Sequence, residues 1–313
     1  MRIRKPPRLR SGDLIGLVAP ASTPSASEKV EKGVGYLERL GYRVSVGSHA
    51  MNVHGYLAGT DQDRSSDINA FIRDKNVKAI VAIRGGYGTP RLLSQIDYRS
   101  LAANPKIVVG YSDITALQLA MFRKTGLVTF SGPMSGVEMW NQIDPYTEEH
   151  FWRSLTSTKK IGLLKNPPEE PVVRLKPGNG EGLLLGGNFS LLVSLLATPF
   201  APNLKKAVLI LEDVDEAPHR IDRMLAQLKN AGILKNLSAL LFCKFTDCNP
   251  SDPSKPHLTV DQVLRETAEL VSCPVLSNVQ YGHIPKKLTI PLGLKSRVDG
   301  ENGTIEVLEA GVA

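Results

Sequence analysis

The stretch Lys106-Ile107-Val108-Val109-Gly110-Tyr111-Ser112-Asp113-Ile114-Thr115 constrains the fold of this chain more than any other. Asn104 and Pro105 precede an apolar triplet, 107–109, short enough for a central parallel strand. From 113 to 124 the period changes. Ile114, Leu117 and Met121, with Ala116 and Ala120 beside them, recur at helical spacing. A buried strand that gives way so abruptly to a helix leaves Ser112 in a sharp turn at the carboxyl end of a sheet. It lies there beside backbone N–H groups that no helix carbonyl uses. Two readings of the serine stand at this point. It caps the helix, a position serine favours, or its hydroxyl reacts while those N–H groups and the positive helix end stabilise an oxyanion.

The same alternation runs through the first half. Residues 14–20, 42–46 and 77–83 read as further strands. A helix opens at Ser27-Glu28, turns Val30, Val34, Leu37 and Leu40 inward and stops at Gly41, and a polar helix follows Thr60-Asp61 as far as Arg73. Strands alternating with helices predict a parallel, doubly wound sheet of the flavodoxin/Rossmann-like kind. Composition shifts between 159 and 182, where Asn166-Pro167-Pro168-Glu169-Glu170-Pro171 and Pro177-Gly178-Asn179-Gly180 bracket a short strand at 172–175. We therefore expect an N-terminal α/β domain over 1–160, a linker region at 161–182 and a second domain over 183–313. In the second half, 207–211, 237–245 and 275–279 read as strands, 220–229 and 261–270 as helices, and 289–293 and 304–308 as closing β-strands. That pattern predicts a mixed α/β domain with a β-rich core.

A chain of 313 residues is long enough for two domains with a core each. With 42% hydrophobic and 22% charged residues it has the balance of a soluble globular protein. The net charge is +7, but beyond the first ten residues the basic side chains are scattered. That makes nucleic-acid binding a weak reading and attraction of an acidic small substrate at least as good a one. Cys243, Cys248 and Cys273 cannot all pair with one another, and no second close pair completes a zinc ribbon, so reduced thiols in the cytoplasm are expected. The N-terminus is basic, yet the apolar run at 14–19 is too short for a signal core and follows Gly12-Asp13. No stretch approaches the roughly 20 apolar residues of a membrane helix. No export and no membrane partner are expected.

Three further stretches carry candidate chemistry. Arg84-Gly85-Gly86-Tyr87-Gly88-Thr89-Pro90-Arg91 follows the third strand. It fits neither common phosphate fingerprint, since G-x-G-x-x-G would need glycine in place of Arg91 and no Lys-Ser or Lys-Thr pair follows. A tight turn, or a nest of N–H groups for an anion or oxyanion, remains. Phe130-Ser131-Gly132-Pro133-Met134 forms a loop at the same sheet edge. Glu212 follows five apolar residues and so stands at the rim of a buried sheet, where orientation and pKa are set by the surroundings. His283 follows Gly282 at another strand end. A serine, a histidine and a carboxylate can act as nucleophile, base and orienter on any topology. His49, His54, His150, His219 and His257 lie in loops or polar helical contexts and read as surface residues. Glu212, Asp213, Asp215 and Glu216, with His219, also admit a metal site or simply a solvated acidic loop.

Taken in order, Arg84-Gly85-Gly86-Tyr87-Gly88, Gly110-Tyr111-Ser112-Asp113, Phe130-Ser131-Gly132-Pro133-Met134, Gly186-Gly187-Asn188, Leu211-Glu212-Asp213 and Gly282-His283 closely resemble the motifs of the LD-carboxypeptidases. These are serine peptidases that trim muropeptides, with the microcin C immunity peptidases among their relatives. The resemblance spans nearly the whole chain. It implies Ser112 as nucleophile, His283 as general base and then acid, and Glu212 as its orienter. The oxyanion donors would be the N–H of Asp113 and one from the Gly85-Gly86 turn. It further implies removal of D-alanine from a murein tetrapeptide, no metal or organic cofactor, a cleft between two domains and a homodimer. Because Ile114 stands where glycine would be needed, the turn is not the G-x-S-x-G elbow of α/β-hydrolases. Arg84 is the candidate partner for the free carboxylate of the substrate. The alternative is a sibling peptidase that cleaves a peptidyl-nucleotide antibiotic. It would need an aromatic platform, with Trp140, Tyr146, Phe151 and Trp152 as the aromatic residues of the middle loop.

Overall fold

The computed structural model describes residues 2–250 and 252–313 as two sheets flanked by helices. The first half runs β1 (Leu14–Val18), α1 (Ser27–Arg39), β2 (Arg43–Val46), α2 (Asp61–Arg73), β3 (Val77–Ala82), α3 (Tyr98–Ala103), β4 (Ile107–Gly110), α4 (Ile114–Thr125), β5 (Thr129–Ser131) and α5 (Pro145–Thr156). The second runs β6 (Gly162–Leu163), β7 (Val173–Lys176), β8 (Asn179–Asn188), α6 (Phe189–Leu195), β9 (Val208–Val214), α7 (Pro218–Asn230), β10 (Ala239–Thr246), α8 (Val260–Leu270), β11 (Val275–Ser277), β12 (Ile290–Leu292), β13 (Lys295–Asp299) and β14 (Thr304–Val307).

Local chemistry accounts for where these elements start and stop. Thr60 and Asp63 form a reciprocal capping box at the start of α2, and Thr259 with Gln262 does the same for α8. Asp144 caps α5 ahead of Pro145, whose missing N–H costs nothing at the first helical position. α4 ends on Gly126 at φ 74°, a left-handed cap that glycine takes without strain. Its buried face leaves almost nothing in solvent, in keeping with a helix packed between the two halves.

β1 to β5 are parallel and ordered β2-β1-β3-β4-β5, the doubly wound arrangement expected for the first half. A sixth strand, β12, comes from the far end of the chain and lies antiparallel on β5, with Ile290 opposite Ser131. It covers what would otherwise be an exposed edge of a three-residue strand. Its central Pro291 is tolerated because β12 is itself the outermost strand.

The second sheet has eight strands in the order β6-β14-β13-β8-β9-β10-β11-β7. The centre, β8 to β11, is parallel and both flanks are antiparallel. Residues 161–182 are woven into this sheet: β6 pairs with β14, β7 with β11, and β8 begins at Asn179. Pro177 and Gly178 make a turn between β7 and β8 rather than the close of a free segment. One contiguous apolar core runs through both halves. Polar bonds cross between them as well. Tyr281 and Ser131 share a hydroxyl–hydroxyl bond at 2.5 Å, and the Asn188 N–H donates to Thr115 Oγ1 at 3.1 Å. Among the described residues no helix is long and apolar enough to cross a membrane.

Candidate active site

Both sheets turn the carboxyl ends of their parallel strands toward one cleft, the place where open α/β sheets bind ligands. β4 is buried throughout and delivers Ser112 into the turn before α4. Ser112 has φ 65°, a left-handed conformation that costs a non-glycine residue energy and that recurs at functional turns. Its hydroxyl does not cap the helix. Asp113 occupies the cap position without a capping bond from its side chain, and Ser112 Oγ lies 2.9 Å from His283 Nε2. On the other ring nitrogen, His283 Nδ1 is 2.7 Å from Glu212 Oε2. Glu212 is fully buried near the end of β9, while the imidazole keeps 18% of its surface exposed. A carboxylate can only accept, so Nδ1 carries the proton and donates it to Glu212. Nε2 then accepts from the Ser112 hydroxyl. Glu212 Oε1 has no partner among the described residues, so the whole hydrogen bonding of this carboxylate is directed at the imidazole.

Two glycines make this approach sterically possible. A Cβ on Gly85 would lie 2.9 Å from Ser112 Cβ and 3.1 Å from Oγ. Gly282, at φ 131°, would bring one within 3.1 Å of Glu212 Oε2.

The neighbouring residues hold the turn and the loops in place. The buried Asp113 carboxylate accepts from Thr89 N at 2.8 Å and Gly88 N at 3.2 Å, tying the glycine loop to the serine turn. Burial raises its pKa against the lowering effect of those bonds. The Asp113 and Gly86 amides have no acceptor in the protein among the described residues. Tyr111 packs its ring edge against His283, with centroids 5.1 Å apart, and donates its hydroxyl to Glu138 Oε1 at 2.9 Å. The buried Lys287 donates to the same oxygen at 2.6 Å and sits 3.9 Å over the Tyr111 ring. Glu138 also receives the Met134 N–H, which pins the loop after β5.

Asp213, next to Glu212, accepts from Asn188 and Ser190 and has its pKa raised by burial. Asp215 is exposed with φ 57°, and His219 is exposed on α7. The acidic run thus spreads over both sides of a strand end. Among the described residues no group of three or more His, Cys, Asp or Glu side chains is arranged to hold a metal ion.

Two of the histidines expected at the surface are partly enclosed. His49 Nδ1 lies 2.8 Å from Asp67, a bond that raises its pKa, and His150 packs on Tyr146 with its pKa lowered by burial.

A cavity of about 680 Å³ opens over Ser112 and His283, with Arg84, Gly85, Gly86, Lys29 and Trp140 in its walls. A second, of about 600 Å³, lies across Tyr111 and His283 and is lined by Glu138, Asn141 and Lys287. The four aromatic residues expected in a middle loop separate here: Trp140 lies in the loop, whereas Tyr146, Phe151 and Trp152 are carried by α5. Trp152 stacks on Tyr42 and donates to Tyr36, Phe151 is buried, and Tyr146 bonds to the Lys165 carbonyl. Trp140 alone of the four lines the cavity of the serine. Sequence reasoning missed Lys29, Glu138 and Lys287. Their partners are distant in the chain, and no local pattern marks them.

The chain belongs to the LD-carboxypeptidase family: models of the N-terminal and C-terminal domains of that family match residues 15–132 and 181–298. It is therefore a peptidase of the serine carboxypeptidase type. The probable murein peptide carboxypeptidase of Bacillus subtilis is 39% identical over 310 residues, covering 99% of this chain and 95% of that protein. The microcin C7 self-immunity protein MccF of Escherichia coli is 30% identical over 333 residues, covering 96% and 94%. The solved structure of muramoyltetrapeptide carboxypeptidase from Oxalobacter formigenes superposes with a TM-score of 0.81 at 30% identity, over 94% of this chain and 97% of that one.

Proposed function

We propose that this protein is a cytoplasmic LD-carboxypeptidase. It removes the terminal D-alanine of a murein tetrapeptide during cell-wall recycling, by a Ser112–His283–Glu212 triad and an acyl-enzyme. The observation that carries this reading is the unbroken hydrogen-bonded line from Ser112 Oγ through His283 to the buried Glu212, opening on a cavity.

In this mechanism Ser112 Oγ attacks the carbonyl carbon between the L-centre of the diamino acid and D-alanine, and its proton passes to His283 Nε2. Glu212 keeps the Nδ1 proton in place and stabilises the imidazolium. The free amides of Asp113 and Gly86, on the turn shared with Gly85, receive the developing oxyanion. His283 then hands its proton to the departing amine nitrogen as the C–N bond breaks. Water, deprotonated by the same imidazole, attacks the ester on Ser112 and releases the tripeptide. Arg84, in the cavity wall, meets the free carboxylate of the leaving residue. Because Ser112 comes from one sheet and Glu212 from the other, small movements between the halves gate the reaction. The working unit is a homodimer.

A second reading, cleavage of a peptidyl-nucleotide antibiotic, draws on the Trp140 indole beside the serine and on the similarity to MccF. One experiment separates the two. Purified protein and Ser112→Ala are each incubated with murein tetrapeptide and with a peptidyl-adenylate. Free D-alanine from the first substrate alone supports the proposal, and a cut in the second alone supports the alternative. A Ser112→Ala variant with wild-type turnover refutes the nucleophile in both.

A further inference from the structure

Lys29 and Arg84 line the cavity of Ser112, and neither meets a carboxylate among the described residues. Among the described residues Arg84 donates only to backbone carbonyls, from Nε to Gly85 at 3.2 Å and from Nη1 to Thr23 at 3.3 Å. Lys29 is placed against the interest of its own helix. It stands in the first turn of α1, where the helix dipole disfavours a cation, and its neighbour Glu28 pairs with Lys32 instead, at 2.7 Å. Its ammonium sits 4.6 Å from the centre of the Trp140 ring, which fixes an otherwise floppy side chain over the cavity wall. Two unneutralised cations in a recess shielded by an indole attract an anion more strongly than they would on an open surface.

The geometry of the reaction says which anion. In a terminal amino acid the carboxylate is one carbon removed from the scissile nitrogen. A receptor for it has to share the cavity of the nucleophile, as these two side chains do. We propose that Lys29, held by Trp140, forms together with Arg84 the receptor for the free carboxylate of the departing residue. This makes the protein selective for substrates with a charged carboxyl terminus one residue beyond the cut. The inference rests on the peptidase reading above and adds Lys29 and Trp140 to it as specificity-determining residues. It also assigns one face of Trp140 to a lysine rather than to a stacked base.

The test compares a murein tetrapeptide ending in D-alanine with the same peptide ending in D-alaninamide. Wild type is expected to prefer the acid by tenfold or more in kcat/KM. Lys29→Met loses roughly tenfold on the acid, mostly through KM, and keeps its rate on the amide, as removal of a charge-assisted bond demands. Trp140→Leu shifts the ratio in the same direction, and Lys29→Arg restores most of it. Lys29 and Trp140 are both only partly buried and outside the apolar core, so the folded state survives these changes. An acid-to-amide ratio that is near unity in wild type, or unchanged in Lys29→Met, overturns the inference while D-alanine release still supports the peptidase reading. Wild type that releases neither D-alanine from the acid nor D-alaninamide from the amide overturns both.

Discussion

Replacing Glu212 by glutamine isolates the part of the site that the fold assembles with most care. In the native arrangement the carboxylate accepts the Nδ1 proton at 2.7 Å and its other oxygen has no donor among the described residues. An amide has two ways to occupy that space. With its oxygen toward His283 it preserves the working tautomer but buries an NH2 group without an acceptor, which costs about 1–3 kcal/mol. With its NH2 toward Nδ1 its oxygen takes the place where Oε1 already has no donor, so no new group is stranded, but the imidazole proton moves to Nε2 and nothing is left to accept from Ser112. The second orientation is therefore favoured, and only about one molecule in ten to one in a hundred is competent. In those molecules the imidazolium has lost its counter-charge, worth about another 2–3 kcal/mol for a bond to a charged group. Together these amount to about 3–6 kcal/mol, or a fall in kcat of roughly 10²- to 10⁴-fold at about 1.36 kcal/mol per tenfold. The melting temperature should hold within a few degrees, because the substitution removes a buried charge and changes no volume. The assay is steady-state release of D-alanine from murein tetrapeptide by Glu212→Gln, with Ser112→Ala as the floor. A variant within tenfold of wild-type kcat would refute the orienting role of Glu212.

Two further outcomes follow from the surroundings of the site. Gly85→Ala places a Cβ 2.9 Å from Ser112 Cβ, so the hydroxyl must move. The kcat should fall about 10²-fold for a displacement near 1 Å, with about 1–3 kcal/mol of stability lost in urea unfolding, and a fully active variant would contradict the packing described. Burial pushes the Cys243 thiol well up and that of Cys248 up to about 12. The unfolded chain therefore loses these protons first, so the stability they contribute is complete below about pH 8.5 and declines as pH rises toward the folded values. Urea midpoints between pH 7 and 10 should drop less steeply in Cys243→Ala/Cys248→Ala than in wild type, and parallel curves would count against the burial effect.

The three residues of the candidate triad each stand near the end of an apolar run, but it was the resemblance of the ordered motifs to the LD-carboxypeptidases that singled them out among the other readings. Such a run is a buried strand, and the carboxyl end of a buried parallel strand faces a cleft. The close approach at Gly282 was not legible in the sequence and emerged only with the packing. The capping alternative for Ser112 could be removed only by the bond that its hydroxyl makes with His283, a residue from the far half of the chain. The return of β12 to the first sheet was invisible as well. A three-residue apolar strand carries no mark of which edge it will join, and pairing partners are chosen by what is left uncovered. Residues 161–182 looked like a crossing because proline and glycine interrupt them, yet short strands between such breaks find places at the sheet edges.

Local patterning was enough to specify the alternation of strand and helix, the parallel first sheet, the sharp turn at Ser112 and the rim position of Glu212. Those properties depend on hydrophobic period and turn chemistry over a few residues. Convergence was not encoded locally. That one imidazole bridges a hydroxyl and a carboxylate, that Lys287 and Glu138 brace it through Tyr111, and that Lys29 and Arg84 share a cavity all come from packing two sheets against each other. Such contacts join residues far apart along the chain, and their distances are set by the common core rather than by any segment's own preference.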